Sequence, residues 1–365
     1  MNSVLVSDSG IDLNSGGGLV SHHLLRALAE SGRVEMAIAR HLNAAGLSTV
    51  PFKPVLPKGF QKLPNIHHAF LLDYFAFRNL ADLPGPVRLA QVYGNPFGLT
   101  AQRLKEMGAA LVVDVAPHVS ADSRLEWERL LGQPWPFDPD SFWERYSEHH
   151  RLADVVVVHS RASAAYLKEK SGLAQMPRVI PHGCELPGEV APFPAQFMVG
   201  HLSQFGPDKG QSYLLVAWKG VGGGSLALAG SGTENLKPLA AHLGLAEVEF
   251  KGRVARAEDF YRQCTVYVQP SVTEGFGIPV LEAMAQGRPV VVAAGAGVSE
   301  LVTDGENGFV VPVRDAAAIA HRLNLLREDP GLCASLGRAA RETAAQYTWD
   351  KIRRQYREIY RELAG

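Results

Sequence analysis

Short β-branched runs, each followed by a stretch of helical periodicity, recur along this chain from end to end. A strand followed by a helix that returns to the next strand builds a parallel sheet with helices on its faces, so the alternation predicts an α/β fold. In the first half strands are predicted at Val4–Val6, Val34–Ala39, Val87–Gln91, Ala110–Val115, Val155–Val158 and Arg178–Ile180. In the second half they are predicted at Gln196–Gly200, Ser225–Ala229, Val248–Phe250, Val266–Gln269, Val290–Ala293 and Phe309–Val311. Two such series in 365 residues exceed what one core usually organises, so the expectation is two doubly wound domains. Pro187, Gly188, Pro192 and Pro194 form a proline-rich bridge between the series and mark the expected boundary. The last helical stretch, Trp349–Leu363, sets Ile352, Tyr356, Ile359, Tyr360 and Leu363 against charged residues and needs a partner face.

Composition excludes several classes of function. With 36 basic and 37 acidic residues the net charge is −1, which gives no electrostatic reason to expect a nucleic-acid partner. The three cysteines, Cys184, Cys264 and Cys333, are far apart and lack the paired spacing of metal ligands, which fits a reducing cytosol. Met1–Val6 lacks a basic start and a long apolar stretch, and no run of about 18 apolar residues occurs. A cytoplasmic protein is expected, with membrane contact at most peripheral, at an inner face. The net charge would not reveal a local cationic patch. Oligomeric state is not legible.

Two acids stand out within Thr273–Val290. Glu274 follows the predicted strand Val266–Gln269 and is flanked by Gly275 and Gly277, while Glu282 lies just past Pro279 in a helix that Gly287 and Pro289 end. A glycine-bearing turn between a strand's carboxyl end and a helix's amino end is where α/β proteins bind ligands. The free amides and positive dipole end of such a helix suit a phosphate. For Glu282 the alternative is an acid placed at a helix start for dipole and capping reasons.

Gly16, Gly17 and Gly18 precede a predicted helix Leu19–Ser31, which by geometry makes an anion cradle. A dinucleotide reading of this run fails on two counts. The glycines follow the first strand at a distance instead of directly, and the second strand ends at Arg40 without a ribose-binding acid. His118 follows the apolar strand Ala110–Val115 and is expected at the same sheet edge, with Asp114 as a weaker candidate. The pairs His22–His23, His67–His68 and His149–His150 are adjacent in sequence, so their side chains diverge, and surface or capping roles are expected. Trp127, Trp135, Phe137, Phe142 and Trp143 cluster around a proline-rich stretch and read as loop packing before they read as a sugar platform. Pro51–Pro64, with Lys53, Lys58 and Lys62, is a second loop suited to an acceptor or a lipid phosphate.

Taken in order, these segments resemble the retaining GT-B glycosyltransferases of family 4, the glycosyl transferases group 1. The resemblance rests on Asn14-Ser-Gly-Gly-Gly-Leu, Ala153-Asp-Val-Val-Val-Val-His-Ser, Val179-Ile-Pro-His-Gly, Gly200-His-Leu through Lys209-Gly, Phe250-Lys-Gly-Arg-Val, the Glu274–Glu282 segment, Val298-Ser-Glu-Leu and Asp304-Gly-Glu-Asn-Gly-Phe. It implies two Rossmann-like domains facing a cleft: an acceptor domain at 1–187 and a nucleotide-sugar domain at 188–345. A helix at 346–365 is implied to cross back to the first. It further implies that Glu282 bonds the ribose hydroxyls and that Glu274 sits beside the donor sugar with the Gly275, Phe276 and Gly277 backbone. A carboxylate accepting from two adjacent hydroxyls agrees with that assignment.

By the same resemblance Lys209 faces the diphosphate, His118 the sugar hydroxyls, Arg253 the nucleobase loop, and Gly17 and Gly18 the donor phosphates. Glu300 follows a glycine-rich loop where family members carry an acid, and a helix cap serves it equally well. The family usually carries an arginine five residues before the lysine; here that position is Gln204, while His201 stands where Gly-Arg-Leu is commoner. Gln204 can donate a bond but adds no charge. What the resemblance implies is sugar transfer, with retention, from a nucleoside diphosphate sugar to a carbohydrate, lipid-linked or small-molecule hydroxyl, without metal or other cofactor. Two other readings stand beside it: a catalytically impaired sugar-nucleotide-binding protein on the same fold, motivated by Gln204, and a nucleotide-sugar 2-epimerase.

Overall fold

The structure, a computed structural model, describes every residue except 10, 14, 15, 44–46, 48, 56–64, 95, 96 and 116–148, and leaves the side chains of 65–70 undescribed. The chain divides into two compact units. One holds the described residues of 1–115 and 149–180 together with Trp349–Gly365, and the other holds Pro181–Thr348.

In the first unit β1 (Asn2–Ser7), β2 (Arg33–Ala39), β3 (Phe52–Pro54), β4 (Leu89–Tyr93), β5 (Ala110–Asp114), β6 (Val155–Val158) and β7 (Arg178–Val179) form one parallel sheet. Its order is β3-β2-β1-β4-β5-β6-β7. Val4, Val6, Ile38, Val92, Leu111 and Val113 are fully buried in its core, as expected of parallel strands covered on both faces. The strand β3 is absent from the sequence expectation. It is short, carries Pro54 and pairs on one side only, and an edge is where a sheet tolerates a residue without an amide hydrogen.

The helix Trp349–Ala364 packs in this unit against the helix Gly16–Ser31. Trp349 stacks on His23 with ring centroids 4.1 Å apart. Arg353 donates to Glu30 Oε1 at 3.1 Å and to His23 Nδ1 at 3.0 Å. Burial, then the neighbouring His22 and Arg353, hold the His23 imidazole far below its ordinary pKa, so it stays neutral and accepts. Tyr356 donates to Asp114, and Tyr360 donates to Gln91 Oε1 at 2.9 Å. The amphipathic stripe thus finds its partner through polar tips as well as apolar area.

Two expectations change here. His22, His23, His149 and His150 are buried and not at the surface, and His23 is covered by the stacked Trp349 ring of the helix that packs on its own. Asp114 is fully buried, with His159 Nε2 at 3.0 Å in addition to Tyr356, and so belongs to the interior of this unit.

In the second unit β8 (Met198–Leu202), β9 (Ser225–Ala229), β10 (Glu249–Gly252), β11 (Val266–Gln269), β12 (Val290–Ala293) and β13 (Phe309–Val311) form a parallel sheet. The order is β10-β9-β8-β11-β12-β13. Val199, Leu226, Leu228, Val266, Val268 and Val291 fill its core. The proline-rich stretch from Pro187 packs within this unit, held by two arginines. Arg341 donates to the carbonyls of Pro187 and Ala285 at 2.6 Å each. Arg288, fully buried, donates to those of Ala191 at 2.9 Å and Arg262 at 3.2 Å.

Candidate functional site

Six parallel strands place all their carboxyl ends at one edge of the second sheet. The order reverses between β8 and β11, whose following chains leave toward opposite faces, and the gap they open is where open α/β sheets bind ligands. The segment after β8 carries Gln204 and Lys209, and the segment after β11 carries Glu274.

Lys209 ends a one-turn 3₁₀ helix, Pro207–Lys209, and Gly210 follows with φ +67°. A Cβ on Gly210 would overlap the Pro270 carbonyl group, 2.7 Å from its carbon, so only glycine lets this turn lie against the end of β11. The Val272 amide donates to the Asp208 carbonyl at 2.8 Å and cross-links the same two segments. As a result Lys209 Nζ reaches Glu274 Oε2 at 2.6 Å and Asp208 Oδ2 at 3.1 Å. Burial opposes the charge on Lys209, but the two carboxylates outweigh it and hold its pKa above the ordinary value. Glu274 is itself fixed by its backbone, donating to the Gly295 carbonyl at 3.0 Å and accepting from Gly297 at 2.9 Å.

Gly275, Phe276 and Gly277 lead from Glu274 into the helix Ile278–Ala285, with Gly277 at φ +107° as its N-cap and Pro279 in its first turn. Phe276 is buried, and its ring meets His182 edge-on at 5.4 Å. Glu282, one turn into the helix, accepts from the Tyr261 hydroxyl at 2.7 Å. Burial pushes the Glu282 carboxyl up to about 7, and the tyrosine bond acts in the opposite direction.

His201 is fully buried, its Nδ1–H donating to the Val268 carbonyl at 2.9 Å and its Nε2 accepting from Ser203 Oγ at 2.7 Å. Burial lowers its pKa to about 4, so it adds no charge beside Lys209. The Gln204 side chain is exposed, and its backbone carbonyl accepts from Gln211 Nε2 at 3.3 Å, with Ser203 Oγ at 3.2 Å. Arg253 follows β10 with an exposed side chain. Glu300 lies in the 3₁₀ turn Gly297–Leu301.

Other sequence candidates fall elsewhere. His118 lies outside the described residues, as do Trp127, Trp135, Phe137, Phe142 and Trp143. Gly17 and Gly18 are in the first unit, where the helix begins at Gly16 and not at Leu19, so the glycines form its first turn. The Gly17 carbonyl accepts from Ser21 Oγ at 2.9 Å.

Three residues that shape this edge escaped the sequence reading. Tyr261 orients Glu282 from the preceding helix. Gln211, buried, bonds Ser203 Oγ at 3.0 Å and accepts from the Gly206 amide at 3.4 Å, which sets the turn before Lys209. Gly230 packs against the Ser203 carbonyl and joins the turn after β9 to that after β8. A Gly-Ser-Gly directly after a strand was the available signal for the last. The first two have none, because each depends on a neighbour that the fold supplies. Among the described residues no three His, Cys, Asp or Glu side chains are grouped to hold a metal ion.

Residues 187–343 match the family described as glycosyl transferases group 1. The D-inositol 3-phosphate glycosyltransferase of Streptomyces avermitilis is 40% identical over 130 residues, 35% of this chain and 28% of that protein. The matched stretch therefore spans well under half of this curated relative. Among solved structures, sucrose-phosphate synthase from Thermosynechococcus elongatus superposes with a TM-score of 0.81 at 21% identity, covering 100% of this chain and 99% of that one. Anabaena HepE in complex with UDP and glucose superposes with a TM-score of 0.77 at 21% identity, covering 99% of each chain. At that identity the likeness is one of fold. Residues 187–343 of the chain are thus similar to the glycosyl transferases group 1, and its two doubly wound sheets have the GT-B fold.

Proposed function

We propose that this protein transfers a sugar from a nucleoside diphosphate sugar to an acceptor hydroxyl, with retention of anomeric configuration. The observation that carries the reading is the ion pair of Lys209 and Glu274, which lie on the segments after β8 and β11, the two strands flanking the reversal of the second sheet, with Glu282 one turn into the helix that follows. Lys209 faces the diphosphate, where negative charge grows as the sugar leaves. Glu274 lies beside the sugar, with Phe276 and the backbone of Gly275 and Gly277 lining the same turn, and Glu282 takes the ribose hydroxyls. Gln204 and Arg253 border the site as neutral and cationic side chains. The carbon–oxygen bond to the diphosphate breaks while the acceptor oxygen bonds the same carbon on the same face. The acceptor proton passes to a phosphate oxygen of the leaving group, so no protein nucleophile is required. Orientation and charge stabilisation are then the protein's main contributions. The acceptor is a carbohydrate, a lipid-linked sugar or a small-molecule hydroxyl.

A panel of UDP, GDP and ADP with their sugar conjugates, read by thermal shift, tests the donor site. A ligand at about 100 times its Kd that binds only the native state adds about 2.7 kcal/mol, a clear rise in melting temperature. If none of the panel moves the transition, the reading fails. Transfer is expected to continue in the presence of EDTA. Turnover that collapses with the chelator and returns with manganese would show instead that a metal carries part of the leaving-group charge.

Gln204 favours a second reading, in which the chain binds a sugar nucleotide without turning it over. Its exposed neutral side chain leaves the diphosphate one formal charge short. Binding without donor consumption under any acceptor would establish it. No helix among the described residues is long and apolar enough to cross a membrane. The free thiols of Cys184, Cys264 and Cys333, all buried, suit a cytoplasmic setting.

A further inference from the structure

Among the described residues the Glu282 carboxylate meets one hydrogen-bond donor, the Tyr261 hydroxyl. Tyr261 lies on the helix Ala257–Gln263, which precedes β11, and Glu282 lies on the helix that follows it. The tyrosine is 1% exposed, and its ring packs edge-on against Tyr267 at 5.5 Å, so its hydroxyl has little freedom to turn away from Glu282. We propose that Tyr261 is a positioning residue for ribose recognition: by holding Oε2 of Glu282, it presents Oε1 to the vicinal hydroxyls of a ribonucleoside diphosphate. The proposal rests on the donor reading given above.

The surroundings give it a pH signature. The titratable groups facing Glu282 are Tyr261, the Tyr267 hydroxyl, committed to Gln269 Oε1 at 2.9 Å, and the buried Cys184 thiol. Burial first, and the Glu282 charge with it, pushes both phenols up, and Cys184 up to about 12, so all three stay neutral near pH 7. Arg341 engages the carbonyl of Ala285 at the far end of the helix. Glu282 is therefore the member of this group that titrates near neutrality. The carboxylate accepts both ribose hydroxyls, whereas its protonated form loses acceptor capacity. Removing the tyrosine hydroxyl takes away the bond that favours ionisation, so the carboxyl pKa moves further up.

The test measures affinity by calorimetry for UDP, or for GDP or ADP if that gives the larger thermal shift, and for its 2′,3′-dideoxy counterpart. Wild type is compared with Tyr261→Phe from pH 6 to pH 9, with melting curves to confirm that the ring packing and the fold survive. Wild type is expected to favour the ribose form and to lose that preference as pH falls through about 7. Tyr261→Phe is expected to lose about tenfold in affinity for the ribose form at pH 7, the worth of one bond to a charged group, and under about twofold for the dideoxy form. Its pH midpoint should rise, with much of the loss recovered at pH 9. Glu282→Gln should remove the midpoint altogether. Equal losses for both ligands, or an unmoved midpoint, in a protein whose wild type prefers ribose would overturn the role of Tyr261 alone. A wild type that bound both ligands equally would overturn the ribose assignment of Glu282, and this proposal with it.

Discussion

Lys209→Ala is expected to lower donor turnover by about 10²–10³ while weakening the free nucleoside diphosphate only about tenfold. The asymmetry follows from when the charge is needed. A bound diphosphate already carries most of its charge, whereas the extra charge that appears as the sugar departs falls where a preorganised ammonium acts best. The geometry supports a fixed cation: Nζ is held at 2.6 Å by Glu274 and 3.1 Å by Asp208, and the side chain is 22% exposed. Truncation also leaves the Glu274 carboxylate, 15% exposed, without its lysine partner, so part of the loss reflects a disturbed acid in the proposed donor site. Release of nucleoside diphosphate from donor gives the first quantity and calorimetry the second. Equal losses in both would make Lys209 a binding group only. An unmeasurable wild-type turnover would favour the binding-protein reading raised by Gln204.

Gly210→Ala is expected to be the most damaging single-methyl change at this edge. A left-handed alanine costs about 1 kcal/mol, and overlap with the Pro270 backbone adds about 1–3 kcal/mol because a carbonyl group in a sheet connection cannot rotate away. For a unit of this size that lowers the melting temperature by roughly 5–15 °C. Gly252→Ala supplies the control. Its φ is +57°, yet nothing lies within 4 Å of a Cβ there, so only the backbone cost remains and the drop should be a few degrees. If both variants melted alike, the close approach to Pro270 would not be what holds the Lys209 turn. If it is, Gly210→Ala should also weaken nucleotide binding, because displacing the turn separates Lys209 from Glu274.

The strands of both sheets were legible because each is a local property: β-branched runs buried on both faces, bounded by turn residues. β3 escaped because its proline reads as loop, and its place at the sheet edge, which excuses the proline, is set by β2. Glu274 and Glu282 were legible for the same local reason, since the strand, the glycines, Pro279 and the helix lie in one stretch of chain. The histidine pairs show the limit of that reasoning. Adjacent side chains do diverge, yet His22 and His23 are both buried, His23 beneath Trp349 from a helix more than 300 residues later.

By itself, then, the sequence determined two doubly wound α/β units and the segment that carries both acids. Tertiary structure decided what those acids meet. β8 lies beside β11, so that Lys209 reaches Glu274 across 65 residues of chain, and Tyr261 reaches Glu282 from the helix on the other side of β11. Periodicity and turn chemistry act over a few residues and are written in order along the chain. An ion pair, a glycine's close approach or a neighbour's hydroxyl depends on which strands lie side by side, and that is fixed only when the whole core packs.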